Sequence, residues 1–232
     1  MIVLFTDFGL AGPYTGQVNA ALHLAAPGVP VIQLFADAPA GQPKPAAYLL
    51  AAYARWFPAG TVLLCVVDPG VGGERRALIA EADGRLYVGP DNGLFELVQR
   101  RATAPCCWDI AWRPPALSAS FHGRDLFAPI AARLARGEPP SAMARSFVPA
   151  PHADWSDDLA EIVYVDHYGN ALTGLRGECL LESAHLAAAG RHIAHGGTFS
   201  AVPPGTAFWY VNSNGLVEIG RASCRERVSE CV

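Results

Sequence analysis

Short apolar runs alternate with helix-length stretches through the first half of the chain. Residues 2–5 and 31–35 are runs of bulky apolar side chains, and residues 62–67 read Val-Leu-Leu-Cys-Val-Val without interruption. An unbroken run of that length is the pattern of a strand buried on both faces. Residues 17–26 and 46–56 lie between these runs and are closed by Pro27-Gly28 and Pro58-Ala59-Gly60, which predicts helices. Strand, helix, strand, helix, strand is the rhythm of a largely parallel sheet covered by helices. Residues 77–81 and 85–88 predict two further strands joined at Ala82-Asp83-Gly84, a hairpin signal. Helices are predicted over 94–100 and 126–136. The pattern thus predicts an α/β N-terminal domain, residues 1–148, with a largely parallel or mixed sheet flanked by helices.

The character of the chain changes over residues 137–158, with Glu138-Pro139-Pro140-Ser141 and then Pro149-Ala150-Pro151. Residues 149–158 read as a linker. Beyond it, alternation over 161–165, a run at 206–211 and short strands broken by Gly and Pro predict a smaller C-terminal β-barrel-like domain, residues 159–219. The sequence from Ile219-Gly220-Arg221 onward breaks the strand pattern of Leu216-Val217-Glu218 and is similar to the translation of a sequencing adapter. Residues 220–232 accordingly read as a non-native tail, expected to pack poorly and to add nothing to function, with the natural C-terminal strands missing.

Composition narrows the partners. At 232 residues, 51% hydrophobic and 16% charged, the chain has the profile of a soluble globular protein. A net charge of −4 without a basic run argues against nucleic acid as a partner. The start, Met1-Ile2-Val3-Leu4-Phe5-Thr6-Asp7, carries no basic segment before an apolar one, and no window approaches the roughly 20 apolar residues of a membrane span. A cytoplasmic protein that uses no membrane is expected. Of the 6 cysteines none are spaced Cys-x-x-Cys, so neither a zinc site nor another metal site is expected. Cys65 and Cys179 read as core packing, and Cys106 and Cys107 are adjacent.

Candidate chemistry collects where strands end. Asp7 closes the first predicted strand, and Asp68 closes the third and opens Asp68-Pro69-Gly70-Val71-Gly72-Gly73-Glu74-Arg75-Arg76. A carboxylate at the end of a buried strand, a glycine-rich loop and paired arginines mark the place where an open α/β sheet holds its ligand. Asp-Pro-Gly is equally good turn chemistry. Gly89-Pro90-Asp91-Asn92-Gly93 reads alone as a turn, and His122 alone as a cap or surface residue before a helix.

Taken in order, Thr6-Asp7-Phe8-Gly9, the segment Val66-Val67-Asp68-Pro69-Gly70-Val71-Gly72, Gly89-Pro90-Asp91-Asn92-Gly93, Phe121-His122-Gly123-Arg124-Asp125, and Asp166-His167-Tyr168-Gly169-Asn170 with Asn212-Ser213-Asn214-Gly215 form a set. That set resembles the S-adenosyl-L-methionine hydroxide adenosyltransferase family, which is related to the adenosyl fluorinase and chlorinase, over residues 1–219. The resemblance implies a homotrimer whose sites lie between one subunit's N-terminal domain and its neighbour's C-terminal domain. It implies attack of water or hydroxide at C5′ of S-adenosyl-L-methionine, giving adenosine and L-methionine, with no cofactor. By the same resemblance Asp68, Arg75 and His122 are catalytic, with Arg76 replacing Arg75 if the loop register differs by one. Asp7 would bind the ribose hydroxyls, Asp166 the methionine ammonium with help from Ser213, and Tyr168 and Asn170 the adenine, with Phe199 as the opposite wall. Two alternatives stand beside hydrolysis: an adenosyl halogenase, and a catalytically inactive S-adenosyl-L-methionine- or adenosine-binding module. Halogenase relatives carry tyrosine at the Asp68 position and an insertion after it, neither of which is present here. The chain also departs at Leu34-Phe35-Ala36-Asp37, where the family has a polar residue and a histidine, and at Asn214, where the halogenases have arginine.

Overall fold

The structure, a computed structural model, describes residues 1–188 and 190–222. The chain divides into two units, Met1–Trp155 and Ser156–Val232.

The first unit runs β1 (Ile2–Thr6), α1 (Tyr14–Ala25), β2 (Val31–Phe35), α2 (Pro43–Ala54), β3 (Val62–Val66), β4 (Ala77–Ala82), β5 (Arg85–Pro90), α3 (Glu96–Arg100) and β6 (Cys106–Ile110). A turn of π-helix, Gly123–Phe127, then leads into α4 (Ala128–Ala135), and β7 (Ala144–Ser146) comes after it. The strands form one 7-stranded sheet in the order β2-β1-β3-β5-β4-β6-β7. Its β2-β1-β3-β5 half is parallel and the remainder antiparallel, so the sheet is mixed. Every residue of β1 and of β3 is buried, as their unbroken apolar runs predict. Val18 and Leu22 of α1, Ile130 of α4 and Phe127 just before it join Ile2, Leu4 and Leu64 in one core cluster. The β4–β5 hairpin turns through Asp83 (φ 50°) and Gly84 (φ 72°), the two consecutive positive φ values that a tight two-residue turn demands.

Some boundaries differ from the sequence expectation. Both α1 and α2 begin earlier, at Tyr14 and Pro43. Proline in the first turn lacks only an N–H that has no helical partner there, so Pro43 starts a helix where its residue type suggests a loop. Strands β6 and β7 lie in stretches without a strand signal. Residues 149–155 are lashed to the first unit: Arg100 donates to the carbonyls of Trp155 (2.7 Å) and His152 (3.0 Å), and Glu96 accepts from the His152 N–H at 3.2 Å.

The second unit holds β8 (Leu159–Val165), β9 (Ala171–Arg176), β10 (Leu186–Ala188), β11 (Arg191–Ile193), β12 (Ala207–Val211) and β13 (Leu216–Arg221). They form an antiparallel 4-stranded sheet, β12-β13-β9-β8, and a 2-stranded hairpin, β10-β11. Among the described residues these strands do not close into a barrel. Trp209, Ile193 and Val217 form the core, and the Trp209 indole donates to the Ala184 carbonyl at 3.0 Å. Two expectations need correcting. Strand β13 continues through Gly220 and Arg221, which pair with Phe208 and Ala207, and Ala222 is buried. Glycine at 220 interrupts the apolar pattern because a Cβ there would come within 2.9 Å of the Phe199 ring, so the break reflects close packing. The tail beyond it, residues 223–232, lies outside the described residues. Cys179 is exposed, not core: its thiol donates to the Asp158 carboxylate at 3.0 Å, beside the Arg176–Asp158 ion pair.

Candidate active site

Three parallel neighbours, β1, β3 and β5, end on the same edge of the sheet, and the loops that leave them meet there. Asp7 comes directly after β1, and its N–H donates to the Val66 carbonyl at 3.2 Å, tying it to the end of β3. Asp68 leaves β3 two residues later and opens the glycine-rich loop 68–76. Gly72 in that loop has φ 78°, and a Cβ on it would overlap the Ala119 carbonyl oxygen. Only glycine lets the loop lie this close to the segment that carries His122. The π-helical turn directly after His122 is the kind of widened turn found at functional sites.

The three side chains assigned to catalysis by resemblance meet in one cluster. Arg75 Nε lies 3.0 Å from both Asp68 Oδ1 and Oδ2, and its Nη2 is bonded to Oδ2 as well. The same Nη2 is 3.0 Å from His122 Nδ1. The guanidinium also stacks on Phe127, 5.3 Å from the ring centre. The pair is withdrawn from water, with side-chain exposures of 12% for Arg75 and 4% for Asp68. Arg76 turns away to Asp109 at 3.0 Å and lies over Phe147, so Arg75 is the arginine at Asp68.

Guanidinium can only donate, so His122 Nδ1 accepts and the neutral ring carries its proton on Nε2. Burial pushes the His122 pKa below its ordinary value, the charge of Arg75 pushes it further the same way, and Asp68 opposes both. The imidazole is therefore held neutral. Burial raises the pKa of Asp7, with the charge of Asp68 adding to the rise, while the Gly41 N–H, donating to Asp7 Oδ2 at 2.8 Å, opposes it.

Two adjoining cavities share Asp7, Phe8, Ser120 and Phe121. The inner one, about 70 Å³, is lined also by Asp68, His122 and Gly123. The outer one, about 500 Å³, adds Tyr14, Gln17, Ser118 and Arg124. Sequence pattern alone does not single out these outer residues. Only Arg124 lies inside one of the six motifs, and its guanidinium is bonded to Asp125 and Gln17. A cavity of similar volume, about 490 Å³, lies beside α3. Its charged residues, Glu96 and Arg100, are bonded to each other and to residues 152–155, so the reactive groups belong to the strand-end cavities. Among the described residues no group of His, Cys, Asp and Glu could hold a metal ion.

The second unit holds the remaining candidates. Asp166 closes the tight 166–170 loop between β8 and β9. Its Oδ1 accepts from the N–H groups of Tyr168 and Asn170, both at 2.8 Å, and its Oδ2 from Asn170 Nδ2 at 2.9 Å. Asn170 and Phe199 come together over Gly220, within 3.2 Å and 2.9 Å of the place a Cβ would occupy there. Tyr168 projects into solvent, 86% exposed. Ser213 is exposed on the turn between β12 and β13, at the opposite end of β13. Leu216 and Gly220, four residues apart, are separated by about 13 Å of strand, so Ser213 does not converge with Asp166.

A buried acid, guanidinium and imidazole beside a cavity at parallel strand ends define an α/β protein with a strand-end candidate site. The chain belongs to the SAM hydroxide adenosyltransferase family, matching that family's N-terminal domain over residues 2–144 and its C-terminal domain over 160–223. It is 38% identical to an (R)-S-adenosyl-L-methionine hydrolase of Thermus thermophilus, across 97% of this chain and 94% of the relative. It is 39% identical to one of Salinispora arenicola, across 94% and 90%. Among solved structures it resembles an uncharacterized conserved protein from Thermotoga maritima, with TM-score 0.87, 26% identity and coverage of 96% and 92%. It also resembles a conserved hypothetical protein from Thermus thermophilus, with TM-score 0.74, 35% identity and coverage of 97% and 93%.

Proposed function

We propose that the chain hydrolyses S-adenosyl-L-methionine, in the R sulfonium form that its relatives' names specify, to adenosine and L-methionine. The observation that carries this reading is Asp68 and His122 on the wall of a cavity of about 70 Å³, joined to each other through Arg75, with room for one or two waters at about 30 Å³ each. A bond forms from the water oxygen to C5′, the C5′–S bond breaks, and its electron pair stays on sulfur. Sulfur leaves as a neutral thioether, so the reaction needs no acid on that side. It needs a water held in line and stripped of a proton.

Each member of the cluster has a part in that task. His122 offers Nε2–H, which holds the water oxygen as a donor, because its Nδ1 lone pair is occupied by Arg75. Asp68 Oδ1 receives one bond from Arg75 and keeps a lone pair that takes the water's proton as the C5′–O bond forms. Arg75 holds Asp68 and His122 together from behind the cavity wall, and its charge favours the anionic character that develops on the attacking oxygen. The dry surroundings favour hydroxide meeting a sulfonium, since charge is neutralised along the path.

For the substrate, Asp7 Oδ1 is free to accept from the ribose diol while Gly41 holds Oδ2. The Asn170–Phe199 patch suits the adenine, one by hydrogen bonds and the other by stacking, with Tyr168 closing over it. Asp166 orients Asn170 and retains one lone pair on Oδ2 for the ammonium; Ser213, at the far end of β13, has no part in that contact. These groups belong to a second unit, and in this reading a homotrimer supplies them, with each site completed by a neighbouring subunit. A barrel-like character for that unit and a cytoplasmic location are part of the same reading. No cofactor enters it. No helix among the described residues is long and apolar enough to cross a membrane.

The test is incubation with S-adenosyl-L-methionine, with and without chloride or fluoride, followed by chromatography. Adenosine and methionine should appear in equal amounts regardless of halide. Binding without adenosine would establish the inactive binding module, and a 5′-halogenated nucleoside the halogenase. Asp68→Asn should lower kcat by roughly 10²–10⁴ while KM changes little.

A further inference from the structure

Strand order, not chain order, explains the Gly89-Pro90-Asp91-Asn92-Gly93 turn. The chain leaves β3, traverses the 68–76 loop and enters β4, yet β3 and β4 are not neighbours, because β5 lies between them. The loop must therefore arch over the carboxyl end of β5, where this turn sits. The β3–β5 ladder has its last paired residues at Leu64 and Val88. Past that point Gly89 is pressed so closely on β3 that any Cβ would overlap the Cys65 carbonyl oxygen. The Val67 carbonyl lies just beyond the strand, and it accepts from Asn92 Nδ2 at 2.8 Å. At the other foot of the arch the Asp91 N–H donates to the Arg76 carbonyl at 3.0 Å. Asn92 is itself fixed, since its Oδ1 accepts from the Leu94 N–H at 3.3 Å.

Val67 immediately precedes Asp68 and Arg76 immediately succeeds Arg75. One turn thus grips the chain on the outer side of both the acid and the cation. We infer that Asn92 is a positioning residue of the reaction site: its amide fixes where Asp68 leaves the sheet and so sets the Asp68–Arg75–His122 geometry without touching the reacting atoms. This inference deepens the hydrolase reading and rests on it for its turnover test. A misplacement of the order of 1 Å in such a site costs about 10²-fold in rate.

Asn92→Asp is the discriminating substitution, because it keeps the acceptor for Leu94 and replaces the donor to Val67 with an oxygen. It should lower kcat by about 10- to 100-fold with KM held within about twofold. In the free protein the ring ¹⁵N signals of His122 should shift as the Arg75 contact loosens. Asn92→Ala, which removes the donor without adding charge, gives the same reading if the aspartate variant does not fold. Wild-type kcat and unmoved His122 signals in a folded variant would overturn the inference. So would a loss of kcat that merely tracks the unfolded fraction seen by circular dichroism. A wild-type protein that releases no adenosine would sink the hydrolase reading instead, and the His122 signals would still decide whether Asn92 positions the cluster.

Discussion

Replacing Arg75 with methionine isolates what the buried ion pair contributes. The substitution keeps most of the side chain's aliphatic bulk against Phe127 and removes every bond to Asp68 and to His122 Nδ1. Asp68 then remains in a site where its side chain is only 4% exposed, with no cation beside it. Breaking such a pair by removing one partner costs about 3–5 kcal/mol, against 0–1 for an exposed pair. In a domain of this size that corresponds to a fall in Tm of roughly 6–20 °C, at about 2–4 °C per kcal/mol. The cost belongs to the stranded carboxylate, so neutralising it should restore much of the loss. The double variant Asp68→Asn/Arg75→Met should be more stable than Arg75→Met alone. Urea unfolding of the wild type, both single variants and the double variant near neutral pH measures the cycle. A loss below about 1 kcal/mol for Arg75→Met, or a double variant no more stable than it, would show that the pair is solvated and that the dry-site argument is wrong.

Stability should also carry the signature of a neutral His122. Its folded pKa lies below the ordinary value of about 6.5, so below that pH the unfolded chain binds more protons. The His122 contribution to stability therefore rises with pH through the window below about 6.5, is complete above it, and is lost on acidification. His122→Gln should flatten that part of the urea-midpoint profile, and an unchanged slope would contradict the lowered pKa. Two glycines should respond in opposite directions. Gly89→Ala drives a Cβ into the Cys65 carbonyl, so thermal unfolding should show a loss at or above the upper end of the usual 1–3 kcal/mol for overpacking, roughly 3. Gly16→Ala, inside α1 with nothing within 4 Å of the new Cβ, should gain about 0.5–1 kcal/mol.

Apolar runs carried most of the sheet. Strands β1 and β3 are buried on both faces, so their composition is dictated from every side, and the β4–β5 hairpin announces itself by Asp83-Gly84. Strand β6 does not, because its burial mixes exposed Cys106 with buried Cys107 and Ile110, neither an alternation nor a run. Strand β7, only 3 residues long, depends on pairing with β6 rather than on its own propensity. Gly220 shows the converse failure. A glycine that admits an aromatic ring looks, in one dimension, like the end of a strand.

The candidate site was legible as a set of residue types but not as a construction. Asp7 and Asp68 could be placed at strand ends because strand ends are a sequence property. That Arg75 rather than Arg76 reaches Asp68 could not, since adjacent residues on a loop differ only in the direction the backbone takes. The direction is set by Gly72 against Ala119 and by the anchoring of Arg76 to the Asp91 N–H and to Asp109, contacts across 15 to 47 residues of chain. Those contacts exist because β5 is inserted between β3 and β4, an ordering that no local pattern encodes. An insertion of this kind makes the loop from β3 to β4 long enough to carry an acid and a cation and then requires something beneath it to hold its feet apart. The Gly-Pro-Asp-Asn-Gly turn, ordinary as a turn signal, occupies that position, and its composition reflects it. Glycine at 89 admits the Cys65 carbonyl, and the amide at 92 satisfies a carbonyl that the ladder has left unpaired.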